Sequence, residues 1–516
     1  MYDLLIKNGT IINGTGSPSF HADVAVKDGK IARIGKGLGE ARTVIDAAGL
    51  TVTPGFIDSH SHSENAILTY PGMIEKVEQG ITTSVAGQCG SSPAPISRDA
   101  DPEKAEQLGE YGKSTDIYRT FATFLDTVKN VPNGANTAIL VGHGALRKAA
   151  MGMDNRAPTE AELEKMKALL AEGMEHGALG LSFGLFYTPG AYSTTEEAVE
   201  LAKVVGQYHG IVAAHIRDES DRVIQAVDEF LTIIRESGAR GVISHHKSSG
   251  RTNWGKVHTT LRMIDQANAE GLDVYCDVYP YVASNTSLTS SFVPPALREK
   301  GAANVLRDPK LRAEIKEWNQ NRRSGDLSFV QVSSCRAFPQ YEGLRIPEIA
   351  EKMGVDQYEA VFTLIADSND NANACYFTMC EEDVETVMAH PRAMICTDSG
   401  VARHLVVYHP RLRGTFPRVL GRYVRERGVT TLPEMIRKIT SMPAAVYGFA
   451  TKGLLWEGMD ADICIFDADT ICDRAEFTDC GQRAVGLNYV IVNGEIVVKD
   501  AVYQGALPGK VLLRSR

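Results

Sequence analysis

The chain has 516 residues, 43% hydrophobic and 23% charged, enough apolar surface for a large core, which excludes disorder as the main state and a small disulfide-stapled scaffold. Its 54 Lys and Arg against 64 Asp and Glu leave a net charge of −10 without a long basic run, a poor basis for binding nucleic acid or an anionic membrane. The start Met1-Tyr2-Asp3-Leu4-Leu5-Ile6 is not that of a signal peptide, and no stretch approaches the ~18 uninterrupted apolar residues of a membrane span; nine scattered cysteines without a CxxC pair fit a reducing cytoplasm.

The first fifty residues read as β-hairpins. Leu4-Leu5-Ile6 and Ile11-Ile12 flank Asn8-Gly9, and Val24-Ala25-Val26 and Ile31-Ala32-Arg33-Ile34 flank Asp28-Gly29. Asn-Gly and Asp-Gly accept the positive φ of tight hairpin turns. Between residues 53 and 400 the pattern changes to short β-rich runs alternating with helical stretches. The strand candidates are 53–62, 83–90, 137–142, 179–187, 211–217, 241–247, 273–281 and 393–398. Thr159 with Glu162 forms a capping box for a helix toward Met174, and Ser193 with Glu196 starts another. Val223, Val227, Phe230, Leu231 and Ile234 make an apolar helix face closed by Gly238.

This alternation predicts an α/β fold, a (β/α)8 TIM-type barrel over residues 53–440. A doubly wound open sheet competes, weakened by the lack of GxGxxG after a first strand. The long interval from Tyr281 to Asp398 predicts an insertion at about 290–345, after the seventh strand and beside the barrel mouth. Asp462–Phe466 and the hairpin around Asn493-Gly494 make the C-terminus β-rich again. Residues 1–52 and 441–516 are therefore expected to form one small β-sandwich domain from both ends; two unrelated terminal sheets are the alternative.

Catalysis in such a barrel occurs at the C-terminal strand ends, and the polar residues fall there. The first strand ends in His60 and His62, two apart and so on one side. The second ends at Cys89, the fifth and sixth carry His215 and His245, and the eighth ends at Asp398. Neutral imidazole and thiolate suit Zn²⁺. Singly, each has a plainer reading: a surface His, a buried thiol, a satisfied histidine, a helix cap. Their joint placement at successive strand ends favours a metal site.

Pro54-Gly55-Phe56-Ile57-Asp58-Ser59-His60-Ser61-His62 resembles the opening motif of the amidohydrolase superfamily. Gly-Gln-Cys89-Gly, Ala-His215-Ile-Arg, Ser244-His245-His246-Lys247 and the run His409 to Arg418 are similar to the D-aminoacylase family, the N-acyl-D-amino-acid deacylases. The resemblance covers essentially the whole chain. It implies tight zinc ligands at Cys89, His215 and His245, and a weaker second position at His60, His62 and Asp398. Many relatives carry a carboxylated lysine on the fourth strand; residues 179–187 hold no lysine, which argues against a hydantoinase or dihydroorotase. Asp398 is then the expected general base and acid. Tyr187 matches a family tyrosine that hydrogen-bonds the substrate carbonyl, and Tyr281 its carboxylate-binding tyrosine, with Tyr279 as the alternative register for it and Ser287 assisting.

Lys247 and Arg411 are the expected cations for a substrate carboxylate; Arg413 and Arg418 read as structural. Arg298 is the nearest candidate for an acidic side chain, against a solvated helix residue. The expected activity is zinc-dependent hydrolysis of a small N-acyl-D-amino acid, the D configuration resting on the resemblance alone. Cyclic amide hydrolysis and a catalytically dead binding scaffold are the alternatives. No nucleic-acid or membrane partner is expected; the oligomeric state, side-chain preference and acyl group stay open.

Overall fold

The computed structural model describes residues 1–96, 118–323, 325–401 and 407–514. The N-terminal strands are β1 Tyr2–Ile11, β2 Phe20–Lys27, β3 Lys30–Gly35, β4 Ala41–Asp46 and β5 Thr51–Pro54. Asp28-Gly29 makes the expected tight turn between β2 and β3, with φ of 51° and 74°. Asn8-Gly9 does not turn the chain. It is a bulge inside a continuous β1, with Asn8 at φ 63° and the register to β2 shifting between Ile6 and Gly9. An Asn-Gly pair supplies positive φ to a bulge as readily as to a hairpin. The Asn8 side chain is tied to Asp46, and the absent Cβ of Gly9 makes room for Val52.

The middle begins with β6 Phe56–Asp58, β7 Ile81–Ala86, β8 Asn136–Ile139, β9 Val141–Gly142, β10 Gly180–Gly184, β11 Ile211–His215, β12 Arg240–Ile243 and β13 Val274–Val278. Helices connect them. Glu160–Glu175 carries the expected Thr159/Glu162 capping box, and Val223–Ser237 ends on Gly238 at φ 66°. The next helix, Thr195–Gln207, is capped by Thr194 rather than Ser193.

β14 Ser284–Ser287, β15 Val330–Cys335 and β16 Ala372–Tyr376 form a separate antiparallel sheet, order β14-β16-β15. Its helices close a core of their own around Phe292, Leu306, Ile315, Val332, Phe362 and Ile365. This segment is wider than residues 290–345. Ser-Asn-Thr-Ser has the composition of a turn, and only pairing with Ala372–Tyr376 makes it a strand. β17 Ala393–Ile395 then returns to the middle sheets, and β18 Ile463–Phe466, β19 Leu487–Val492, β20 Glu495–Lys499, β21 Val502–Tyr503 and β22 Val511–Leu512 complete the chain.

β1–β5 and β18–β21 make one nine-stranded sheet in which β5 pairs with β18, so both chain ends share a sheet. Its core includes Leu4, Ile6, Val24, Val52, Ile463 and Ile491. β5 runs on to Pro54, past residue 52. The helix Ser441–Tyr447 does not join this sheet: Met442, Val446 and Tyr447 pack against the middle strands.

The middle strands lie in two parallel sheets, β6-β7-β8 with β22 at its edge, and β9-β10-β11-β12-β13-β17. They meet twice. Leu140 between β8 and β9 donates to Ala86 O, while Asp398 N donates to His60 O and His62 N to Ser399 O. One apolar cluster takes Val85 from β7, Ala138 from β8, Ile211 and Ala213 from β11, Val242 from β12 and Met394 beside them. Their alternate neighbours Val212, Ala214 and Ile243 face the surrounding helices. The middle strands thus enclose an interior with the polar residues at its C-terminal end.

Candidate metal centre and active site

His215 continues the inward series Ile211, Ala213 of β11, as alternation dictates. His245 does not. A regular strand would send it outward with Ile243. Its backbone is left-handed, φ 37°, which turns the ring back to the interior. Cys89 and Asp398 are left-handed too, with φ of 53° and 47°. Non-glycine residues in that region cost roughly 1–3 kcal/mol each and persist only where their surroundings hold them.

Those surroundings are specific. Asp277 accepts from His245 N through its carboxylate and from His246 N through its carbonyl. Ser182 donates to Gly87 O at 2.6 Å and accepts from Gly90 N at 3.1 Å, bracketing Cys89. Asp58 accepts from Thr397 N and Thr397 Oγ1, and Lys76 Nζ donates to Asp58, Thr397 Oγ1 and Ser399 O, bracketing Asp398.

Cys89 Sγ is the common vertex of the site. It lies 3.4 Å from His60 Nε2, 3.4 Å from His245 Nε2 and 3.8 Å from His215 Nδ1. Two groups of ligand atoms result, each within 4.8 Å of one another: Cys89, His215 and His245, and His60, His62, Cys89 and Asp398. The six expected ligand residues therefore converge, with the cysteine in both groups. β10 offers only Gly-Leu-Ser-Phe-Gly, no lysine.

The electrostatics fit a cation. Burial pushes His215 down to about 3 and His60 well below the usual histidine range, so both rings are neutral donors. Burial, then the Asp398 and Glu219 carboxylates, push the Cys89 thiol well up. A thiol beside the neutral His60 and His215 rings and near two carboxylates ionises when a metal supplies the missing positive charge. The chemistry of the donor set therefore suits zinc.

Asp398 Oδ1 lies 3.2 Å from His62 Nε2 and 3.4 Å from His60 Nε2, while Oδ2 accepts from Arg411 Nη1 at 2.6 Å. Burial would raise its carboxyl, but Arg411 and then His245 hold it well below the usual range. Arg411 Nε is buried and has no partner among the described residues. Both residues line a cavity of about 670 Å³ with His62, Cys89, Tyr187 and Ser287. Tyr187 Oη is 3.2 Å from Thr286 Oγ1, its ring 4.7 Å from His215. Ser287 caps the helix Leu288–Phe292 through Ser290 N.

Other expected residues fall elsewhere. Tyr281 does not line the cavity; it packs against His409 and Phe477 under Arg418. Tyr279 takes the position beside the site, with Arg411 5.1 Å and Lys247 5.6 Å from its ring centre. Lys247 stands behind His245, its ammonium 2.5 Å from Glu219. Arg298 gives its guanidinium to the carbonyls of Val293, Ser290 and Phe186. Arg413 pairs with Glu75 and Glu78, and Arg418 with Asp473. Glu219 was missed: it sits in an irregular loop after His215, where no periodicity marks it.

A model described as the amidohydrolase family matches residues 43–498. A D-aminoacylase of Alcaligenes xylosoxydans xylosoxydans is 38% identical over 515 residues, covering 100% of this chain and 98% of its own. An N-acyl-D-glutamate deacylase of the same organism is 36% identical over 513 residues, covering 99% and 96%. A crystal structure of an N-acyl-D-glutamate deacylase from Bordetella bronchiseptica, complexed with zinc and a phosphonate mimic of the tetrahedral intermediate, has a TM-score of 0.85 at 36% identity, covering 100% of both chains.

Proposed function

The chain belongs to the amidohydrolase family, in its D-aminoacylase subgroup, and on that premise we propose that it hydrolyses the amide bond of N-acyl-D-amino acids in a zinc-dependent reaction. The products are a carboxylate and a free D-amino acid. The observation that carries the reading is the convergence of two candidate ligand groups on Cys89, which lines one cavity with His62, Asp398 and Arg411.

Zinc held by Cys89, His215 and His245 would supply Lewis-acid polarisation of the amide carbonyl and lower the pKa of water toward about 7. Asp398 is the group placed to take the water proton and return it to the departing amine. His60 and His62 orient Asp398 and complete the second, weaker metal position. Tyr187 reaches into the cavity as a hydroxyl donor for the carbonyl oxygen; burial pushes its pKa well up, so it keeps its proton. Arg411 receives the substrate carboxylate through its unpartnered Nε, while Nη1 stays on Asp398. Tyr279 packs beside Arg411, Lys247 stays behind His245 on Glu219, and Ser287 lies at the rim of the cavity.

The scaffold is read as one closed (β/α)8 barrel whose seams are the Leu140–Ala86 contact and the Asp398–His60 and His62–Ser399 contacts, with the end sheet as its β-sandwich partner. All nine cysteines are free, in keeping with a reducing cytoplasm. Among the described residues no helix is long and apolar enough to cross a membrane.

The test is a screen of N-acetyl and N-formyl D- and L-amino acids with zinc present, beside hydantoins and dihydropyrimidines. Turnover of acyl-D-amino acids is expected. Hydrolysis of the cyclic amides alone would overturn the reading.

A further inference from the structure

Glu219 lies behind the metal centre and has no part in the chemistry above. Its Oε1 is 2.9 Å from His245 Nδ1 and its Oε2 is 3.7 Å from His215 Nε2. The opposite ring atoms, His245 Nε2 and His215 Nδ1, are the ones that face Cys89 Sγ. The two histidines come from neighbouring strands and present different nitrogens to the thiol. In both, the remaining nitrogen faces the same carboxylate.

A neutral imidazole carries one N–H and one lone pair, and which nitrogen holds which is set by the partner of the other. An ionised carboxylate only accepts. Placed on the outer side, it favours the N–H there and leaves each lone pair aimed at Cys89. Lys247 alone would do the reverse. Its ammonium is 2.9 Å from His245 Nδ1 and has only hydrogens to offer, so it would draw the lone pair outward. Its closer contact is with Glu219 Oε1, at 2.5 Å. The lysine thereby balances the charge of the carboxylate, and the carboxylate serves the two rings.

We infer that Glu219 is a positioning residue that sets the ring tautomers of His215 and His245 together, preparing both for a divalent cation. The inference rests on the metal-centre reading and deepens it. Outer carboxylates of this kind typically contribute 10–100-fold in metal affinity.

The experiment compares the full chain as wild type, Glu219→Gln and Glu219→Ala. Zinc affinity is read by competition with a chromophoric chelator. Ring tautomers are read by long-range ¹H–¹⁵N correlation on metal-free protein carrying ¹⁵N-histidine. Glu219→Ala is expected to bind zinc about 10–100-fold more weakly and to lose the fixed tautomers. Glu219→Gln keeps an acceptor oxygen and is expected to lose less. Wild-type affinity with unchanged tautomers in Glu219→Ala would overturn the inference. Should that variant not fold, Glu219→Gln decides: a measurable loss supports it, and wild-type behaviour overturns it. No substrate is used, so failure of the deacylase screen leaves this result readable.

Discussion

Cys89 belongs to both ligand groups, so its loss reaches the whole centre. Serine is a poor zinc ligand. Cys89→Ser is therefore expected to lose stoichiometric zinc by elemental analysis, and retention of one zinc per chain would count against it as a ligand. Asp398 touches only the second group. Asp398→Ala should keep zinc on Cys89, His215 and His245 while kcat falls by about 10²–10⁴, the usual worth of a general acid–base; wild-type kcat would sink the assignment. Arg411→Ala should impair turnover of acyl amino acids far more than of matching amides without the carboxylate, because its Nε is the unpartnered donor. Equal losses on both would argue against carboxylate binding. At this scale the six candidate ligand residues were legible because they fall at the ends of short apolar runs. Tyr279 and Glu219 were not: residues 279 and 281 have the same strand parity, so parity cannot choose between them, and Glu219 acts from a loop with no repeating pattern.

The elements hold these residues by means that periodicity does not show. The short helix Ile74–Val77 sends Lys76, fully buried, beneath the junction of β6 and the end of β17. There its ammonium meets the equally buried Asp58 at 2.9 Å and the groups on either side of Asp398. Lys76→Met would leave Asp58 without its cation. Removing one partner of a buried pair costs roughly 3–5 kcal/mol. The variant is expected to unfold at lower denaturant, with lowered kcat from a loosened Asp398; an unchanged midpoint would show that the clamp carries no load. Helix starts and ends were largely readable, since capping chemistry is local: Thr159/Glu162 and Gly238 act where the pattern placed them. β14 and the bulge in β1 were unreadable for the opposite reason. Each is defined by a partner strand remote in the chain.

Across the whole molecule, Lys30, Lys452 and Asp460 join the N- and C-terminal parts of the end sheet, and Lys452 also meets Asp462, which accepts from Asn136 on β8. Burial alone would raise the Asp460 carboxyl, but Lys452, helped by Lys30 and Thr451, brings it down to about 2 from an ordinary 3.8. A depressed carboxyl stabilises the folded chain fully above the unfolded value and loses that contribution as pH falls through the folded one. The difference in stability between wild type and Asp460→Asn is therefore expected to shrink as pH drops from 3.8 toward 2, measured by denaturant unfolding; a constant difference would refute the linkage. By itself the sequence determined the alternation of strands and helices, the β-rich ends and the candidate ligand residues at the strand ends, because each is written in local periodicity, turn chemistry or residue type. Only the tertiary structure decided that Cys89 serves both ligand groups, that His245 turns inward, that Tyr279 rather than Tyr281 stands beside Arg411, and that Glu219 backs two histidines at once. Those are distances between segments far apart in the chain, set by how the strands and their left-handed ends pack around one interior.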